Sequence, residues 1–494
     1  VADGRFAILR IRKQDRDHLE KHLFQRYPNR EWGAFLRFGY RRTSWGIALS
    51  YVDAIPPQAG DLDRQSGATV FADQYTLRAM RTAEKRELAI GVSHSHPEGY
   101  FVQPSKYDDD MDLYFAQEVA RYGAGMPYLS LIVQRSPSHG FTFSGRVHDR
   151  GQWFPLTTLL TVGDQLESEC AEDLTLNPEG TSLVVTLEST TARLEQLLGV
   201  LSAARLQRAR VGVIGCSGTG SPAIEVLARA GVGSFVLVDP QRIAPSNLER
   251  MHGMFFDDLA NDPLPYKVAV LRRHILSINP QASVTALVGN LLHENVLDEL
   301  LRCDALLGCT DSVHARVAMS DFAKHYLLPS IDVGVEMNGD HGRVTNQVTG
   351  VTHFKPDGPC AICDGLIDAS DMADELMTDE ERSHRQQQAE EAKTRGDDPG
   401  RYWRGVRQIH TVGYLTGMTG SLAAGYMEGW LTGAFSIPHP SFQFDISRPQ
   451  FGFASTSASE CPCRSHVGWS DQARTFRNVA RPSHWTTRAL LLSR

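Results

Sequence analysis

The stretch Val211–Asp239, VGVIGCSGTGSPAIEVLARAGVGSFVLVD, decides the fold. Val211–Ile214 and Ser234–Val238 are continuous apolar runs of strand length, the pattern of parallel strands whose two faces are both covered by helices. Ser221–Ala230 between them reads as a helix, so the order is strand, helix, strand, the opening of a doubly wound parallel α/β sheet. Gly215, Gly218 and Gly220 occupy the strand-to-helix turn, where small residues let the backbone approach a phosphate at the helix N-terminus. Asp239 ends the second strand 21 residues after Gly218, where an acidic group holds ribose hydroxyls. To this point an NAD-dependent dehydrogenase fits as well as any other nucleotide enzyme.

The residues downstream discriminate. PSNLER places Asn247 and Arg250 shortly after Asp239, Lys267 follows in PLPYKVAVLRRHILSINP, and GCTDS puts Asp311 after a third apolar strand, Ala305–Leu307. Cations and a carboxylate converging on the nucleotide suit triphosphate and magnesium chemistry, for which hydride transfer has no need. The chain from about residue 190 to 470 resembles the ThiF/MoeB superfamily, the adenylating core of ubiquitin-activating enzymes. The likeness rests on the order Gly loop, D-x7-N-x2-R, K, CTD, CxxC and a late Gly-rich helix ending GWLTG. The resemblance implies ATP and Mg²⁺ as cofactors, with Asp239 on the ribose, Asn247, Arg250 and Lys267 on the phosphates and Asp311 on magnesium. It also implies a homodimer in which Arg193, in TTARLEQLL, enters the partner's site. Ser217 departs from the family, which usually has glycine there. Cys360-x-x-Cys363 and Cys461-x-Cys463 match the family's structural zinc site, although its second pair is usually CxxC; His466 is the alternative ligand, and paired buried thiols without metal are the bland reading. Residues 366–460 hold no cysteine where thioester-forming relatives carry their nucleophile. Cys216 sits in the phosphate loop, and Cys170, Cys303 and Cys309 have no activating neighbours in sequence. The expected product is an acyl-adenylate handed to another protein or a small nucleophile, or to a cysteine supplied in trans.

The first half carries a second constellation, His94, His96, Ser105 and Asp108 in GVSHSHPEGYFVQPSKYDDD. Leu88–Val92 reads as a strand, so His94 and His96, two apart, project to one face and reach one ion. Ser105 and Asp108 open a helix over Lys106–Tyr122, on which Met111, Phe115 and Val119 share a face. Ser105-x-x-Asp108 also reads as a plain capping box. The combined pattern H-x-H-P-x7-S-x-x-D resembles the JAMM (MPN-type) metalloproteases over about residues 1–160. That likeness implies a catalytic zinc on His94, His96 and Asp108, Ser105 steadying the oxyanion, and Glu31, in NREWGAFLRFG, as general base, with Glu20 the alternative.

Composition is consistent with both readings. A chain of 494 residues has room for several domains, and a net charge of −8 with 22% charged residues advertises neither nucleic acid nor membrane. The expected architecture is an α+β JAMM/MPN domain over 1–165, a linker over 166–204, a Rossmann-like ThiF/MoeB domain over 205–470 and a tail over 471–494. Residues 366–402, polar and acidic, read as a mobile excursion. Thr411–Ala434 has no Lys or Arg and is long enough to span a bilayer, but its Gly, Thr and Ser content and Glu428 argue for a buried helix. With no secretory signal at the N-terminus, a cytoplasmic location is expected. Together the halves predict a bifunctional enzyme that trims or deconjugates a ubiquitin-like modifier and adenylates its C-terminus, acting with a conjugating enzyme or a sulfur donor. The alternatives are the same steps in a sulfur-carrier (thiocarboxylate) system, and a binding scaffold that keeps the folds without the chemistry.

Overall fold

The computed structural model describes residues 4–62, 70–123, 125–136, 140–171, 191–367, 369–375, 377–403, 411–436, 439–448, 450–454, 461–473 and 488–492. The first half comprises β1 (Phe6–Arg12), α1 (Lys13–Leu23), β2 (Gly33–Thr43), β3 (Gly46–Ile55), α2 (Asp73–Glu84), β4 (Ala89–Ser95), α3 (Lys106–Tyr122), β5 (Tyr128–Ser136), β6 (Gly140–Asp149), β7 (Gln152–Val162) and β8 (Leu166–Cys170). Strand order is β1-β3-β2-β4-β5-β6-β7-β8, and β1 also pairs with β7, so seven strands close into a barrel with β8 appended. Period-two alternation turns Leu9, Leu36, Phe38, Leu131, Phe141 and Leu159 into one core. On the other face, Phe35 and Tyr128 of the strands pack with Tyr75 of α2 and Phe115 of α3.

Helix α3 has the bounds read from sequence because both ends carry stop signals: Ser105 Oγ accepts from Asp108 N (3.2 Å), Asp108 Oδ2 accepts from Ser105 N (2.7 Å), and Gly123 is the C-cap. Helices α1 and α2 are additions to that reading. In α1, KQDRDHLEKHL, only Arg16, Leu19 and Leu23 are buried, too sparse a stripe to stand out from its charged surroundings. Gly46 starts β3 with φ at +142°, and a Cβ there would lie 1.8 Å from the Phe6 carbonyl oxygen. Gly46→Ala must therefore break the β1–β3 register; a loss of ~2 kcal/mol or more, read as a fall in the unfolding midpoint, is expected.

The second half comprises α4 (Ala192–Leu198), α5 (Val200–Arg208), β9 (Arg210–Ile214), α6 (Gly220–Arg229), β10 (Ser234–Val238), α7 (Lys267–Ile278), β11 (Ser283–Val288), α8 (Glu294–Leu300), β12 (Ala305–Gly308), α9 (Val313–His325), β13 (Ser330–Asp340), β14 (Arg343–Phe354), α10 (Ala369–Glu375), α11 (Asp379–Arg395), α12 (Gly413–Thr432), β15 (Ser441–Asp445), β16 (Gln450–Ala454) and β17 (Leu490–Leu491). The sheet order is β16-β15-β14-β13-β12-β9-β10-β11-β17. Strands β13, β12, β9, β10 and β11 are parallel, the doubly wound arrangement expected from Val211–Asp239. The order reverses beside β9, and ligands of such sheets bind at that switch point, outside the carboxyl ends of the strands.

Three segments differ from their sequence reading. Leu166–Cys170, expected in a linker, pairs with β7 as β8, while 172–190 lie outside the described residues. The excursion 366–402 carries helices α10 and α11; α11 opens on a Thr378/Glu381 capping box and closes on Gly396 in the left-handed conformation. Leu490 and Leu491, in the expected tail, pair antiparallel with β11. Thr411–Ala434 is, as argued, a buried helix: in α12, Trp430 is 1% exposed and Gly420 lets the backbone approach α6, where a Cβ would meet Thr219 O at 2.4 Å. Among the described residues no helix is long and apolar enough to cross a membrane.

The two halves share a core. Ile8, Trp45, Ala48 and Leu160 of the barrel pack with Val236, Leu300 and Leu306 of the second half. Arg10, fully buried, donates to Leu301 O (2.7 Å) and Cys303 O (2.8 Å), and Trp45 Nε1 donates to Asp298 O (2.7 Å).

Candidate functional site

A cavity of about 470 Å³ opens where the parallel strands end, lined from β9, β10, β13 and the turn after β12. Its floor is the glycine turn. Gly215 has φ at +91°, and a Cβ on Gly220 would fall 2.0 Å from Gly215 O, so both positions admit only a bare backbone and the turn stays open as a cradle at the start of α6. Asp239, at the end of β10, is held rigidly: Oδ2 accepts from Cys216 N and Oδ1 from Gln241 N, each at 2.8 Å. Burial pushes its carboxyl up, and Lys267 and the two amides pull it back. Lys267 begins α7, is 5% exposed, and donates from Nζ to Gln241 Oε1 at 2.6 Å. Asn247, Arg250 and Asp311 line the same cavity. Asn247 Oδ1 accepts from Ala244 N (2.9 Å) and Arg250 Nη1 donates to Ser246 O (2.9 Å), which fixes both on the loop after β10. Residues read from separate sequence motifs are thus brought to one wall, and a nucleotide with its magnesium fits that donor set: amides and cations for phosphate, carboxylates for ribose and metal.

The four cysteines form a second group. The Sγ atoms of Cys360, Cys363, Cys461 and Cys463 lie within 4.8 Å of one another. The Cys360 Sγ to Cys461 Sγ distance is 3.8 Å, far beyond a disulfide but equal to the edge of a tetrahedron built on zinc–sulfur bonds of about 2.3 Å. Cys360 N donates to Cys363 Sγ (3.1 Å) and Cys363 N points at Cys360 Sγ (3.5 Å), the amide support a thiolate set needs. His466, the alternative ligand, is outside this group: its Nδ1 faces Ser465 Oγ at 2.8 Å and its ring packs edge-on against Trp469.

In the barrel, Glu31, His94 and His96 bring one ligand atom each within 4.8 Å of one another. Asp108 Oδ1 lies 3.1 Å from His94 Nε2 and Asp108 Oδ2 lies 3.6 Å from His96 Nε2. His94 Nε2 is buried and makes no hydrogen bond of good geometry despite that approach. His96 Nδ1 donates to Phe101 O at 2.5 Å, which leaves Nε2 as the lone-pair nitrogen toward the cluster. Burial alone would raise the Asp108 carboxyl, but the two imidazoles and Ser105 hold it well below the usual carboxylate range. Ser105 realises the capping-box reading while sitting beside this group. Glu20 lies elsewhere, against Gly140. These residues fit a divalent metal with an open position.

The profile of the ThiF family matches residues 190–465, over half of the chain. The chain belongs to the ThiF family. It is 30% identical over 159 residues to the SAMP-activating enzyme E1 of Haloferax volcanii, covering 32% of this chain and 54% of that one. It is 30% identical over 165 residues to the sulfur carrier protein ThiS adenylyltransferase of Bacillus subtilis (33% and 46%). It is 31% identical over 169 residues to the adenylyltransferase and sulfurtransferase UBA4 of Saccharomyces cerevisiae (34% and 36%). The chain thus spans between about a third and about half of the length of these curated relatives.

Several residues of this ThiF pocket escape the sequence reading. Arg316, one turn into α9, lines both the cavity and a neighbouring groove along β13 and β14; its spacing from Asp311 was the available signal. Glu375 had none. It comes from α10, in the excursion, and accepts from Ser312 Oγ (2.6 Å) and His314 N (2.9 Å) at the start of α9. Arg193 lies on α4 and does not line the cavity of its own chain. Three of the other thiols are poor nucleophiles: burial pushes Cys216 and Cys309 well up and Cys303 up to about 12, while Cys170, at the end of β8, is exposed.

Proposed function

We propose that this ThiF-family chain adenylates the C-terminal carboxylate of a ubiquitin-like or sulfur-carrier protein, and that its barrel is a JAMM-type zinc peptidase acting on the same class of substrate. The convergence of Asp239, Lys267 and Asp311 on the glycine cradle carries the first part. Asp239 holds the ribose, Asn247, Arg250 and Lys267 grip the phosphates, and Asp311 anchors magnesium, which supplies charge neutralisation between phosphate oxygens. The substrate carboxylate oxygen attacks the α-phosphorus, the bond to the bridging oxygen of the β-phosphate breaks, and pyrophosphate leaves with an acyl-adenylate behind. Lys267 and Arg250 stabilise the charge that develops on the phosphates. With no activated cysteine in place, the adenylate passes to an outside nucleophile.

In the barrel, His94, His96 and Asp108 would hold a zinc ion, which would supply an acidified water and polarise the amide carbonyl. Glu31 would act as the base that moves a proton to the leaving amine, and Ser105 would steady the oxyanion. The names of two relatives, a ThiS adenylyltransferase and a sulfurtransferase, favour a second reading in which the acceptor is a sulfur donor and the product a thiocarboxylate.

Magnesium-ATP, labelled pyrophosphate and a carrier protein with a free C-terminus test the adenylation step: label must enter ATP only when carrier is present. No exchange with any carrier would leave the scaffold reading. Transfer of the activated carboxylate to sulfide rather than to a protein thiol or lysine separates the sulfur-carrier reading.

The homodimer belongs to the same proposal. Leu197, Val200 and Leu201 on α4 and α5 are 82%, 71% and 78% exposed, an apolar edge next to Arg193 that a second copy would cover. Arg193→Ala is expected to lower exchange by roughly 10–100-fold. Mixing it with Asp311→Ala chains should restore activity, because each mixed dimer has one site with both residues intact. Absence of complementation in a verified mixed dimer would refute arginine donation in trans.

A further inference from the structure

We infer that the four-cysteine metal site anchors an interdomain clasp, residues 464–473, so that metal at the cysteines sets how firmly the barrel edge is tied to the adenylation domain. Directly after Cys463 the chain enters the seam between β2 and β3 on one side and the end of α9 on the other. It is hydrogen-bonded to both. Toward the barrel, Gly468 O accepts from Gly39 N (3.1 Å), Gln472 Oε1 accepts from Tyr40 N (2.9 Å), Ser470 forms a bridge with Tyr40, and Ser470 Oγ donates to Ser50 Oγ (3.1 Å). Toward the adenylation domain, Gly468 N donates to Lys324 O (2.9 Å) and Ser470 N to His325 O (2.8 Å). Asp471 completes the seam: it accepts from Arg41 at 3.3 Å and from the Tyr326 hydroxyl.

The fit is steric as well as polar. A Cβ on Gly39 would lie 2.2 Å from Gly468 O, and one on Gly468, with φ at +79°, would lie 2.3 Å from Tyr51 O. Both glycines exist to let the clasp backbone lie against the barrel backbone.

What holds the clasp is the metal end. The segment RSHVGWSDQA has few apolar side chains and is mostly half-buried, so burial of its own side chains cannot order it. Its upstream end is pinned where Cys461 and Cys463 meet Cys360 and Cys363. The same α9 end serves the cysteine hairpin: Lys324, 1% exposed, donates from Nζ to Pro356 O (2.8 Å) and to Gly358 O, just ahead of Cys360. The cysteine cluster, the α9 terminus and the clasp therefore form one continuous unit; its start meets the first half through exposed side chains, Asp357 with Arg12 and Gln14 and Lys355 with Asp164, and the clasp adds the backbone contacts to β2 and β3. The inference goes beyond the proposed chemistry and does not depend on it.

Amide hydrogen exchange on the full chain tests it, in a His94→Ala/His96→Ala background so that zinc content reports the cysteine set. Zinc removal by a chelator, confirmed by metal analysis, should speed exchange at Gly39, Tyr40, Gly468 and Ser470 by at least about tenfold while the centres of β9 and β10 keep their protection. Confirmed zinc loss with unchanged exchange at Gly39 and Tyr40 would overturn the inference. Should stripping unfold the second half outright, Asp471→Ala/Gln472→Ala, which cuts the clasp beyond the metal, decides. It should expose the same barrel amides with zinc fully retained, and unchanged protection there would sink the idea.

Discussion

Asp311→Ala is expected to reduce carrier-dependent ATP–pyrophosphate exchange by roughly 10²–10³-fold, the usual loss when one group stabilising transition-state charge is removed. Asp311 follows β12, at the carboxyl end of the parallel strands, and lines the same cavity as Lys267 and Arg250. It is the acidic side chain contributed by that strand end, while Asp239 is already engaged by two backbone amides. Under the proposed mechanism, replacement removes the magnesium anchor and leaves the cradle intact. Asp311→Asn, which keeps the shape and loses the charge, should be nearly as inactive. Peptidase activity and zinc content should be unaffected, since the barrel site shares no residue with this cavity; joint loss of both activities in a folded variant would argue against independent sites.

The second large effect concerns metal. Purified protein should carry zinc at the cysteines and at the imidazoles, and each set should be removable alone. His94→Ala/His96→Ala should lose the barrel zinc with the fold preserved, because both imidazoles and Asp108 meet at a point that the surrounding strands build without the metal. Cys360→Ala/Cys363→Ala should be far more damaging. Metal binding at a structural site is folding free energy, and here it ties residues 360–363 to 461–463 beside a core around β9 and β10 that contains none of these cysteines. The variant should lose that zinc and unfold at a markedly lower midpoint than the imidazole variant, with the β9–β10 core still folded at ambient temperature. If it folds normally and retains the full zinc content, the cysteines are buried thiols and not ligands.

The sequence alone carried the second half a long way. Val211–Ile214, Ser234–Val238 and Ala305–Leu307 are short, wholly apolar runs, and central parallel strands have almost no other way to look. The glycine turn, Asp239 and Lys267 were legible because each sits at a fixed offset from such a strand. Lys106–Tyr122 was legible because its cap and its terminating glycine are local signals. The barrel site was visible as spacing, His94 two residues from His96 and Ser105 three from Asp108; the sequence preferred Glu31 with Glu20 the alternative, and the fold brings Glu31 to the imidazoles and leaves Glu20 beside Gly140.

Other features had no local signature. Barrel closure depends on β1 pairing with β7, Leu9 against Leu159, a contact between segments whose own patterns fit an open sheet equally well. Glu375 reaches the start of α9 from a stretch whose polarity reads as an excursion. The clasp is a polar segment whose conformation depends on groups distant in sequence, the cysteines at its start and the backbone partners at Gly39, Lys324 and His325.

Periodicity, capping residues and fixed motif offsets are encoded within a few residues of one another, so the sequence by itself determined the parallel α/β core, its glycine cradle, helix α3 and the two metal-ligand patterns. Barrel closure, the approach of Glu31 to the imidazoles, the entry of Glu375 and the seam between the halves were decided only by the tertiary structure. Each depends on backbone groups and side chains far apart in the chain, whose pairing is fixed by which hydrophobic faces bury against each other and which buried donors then require acceptors.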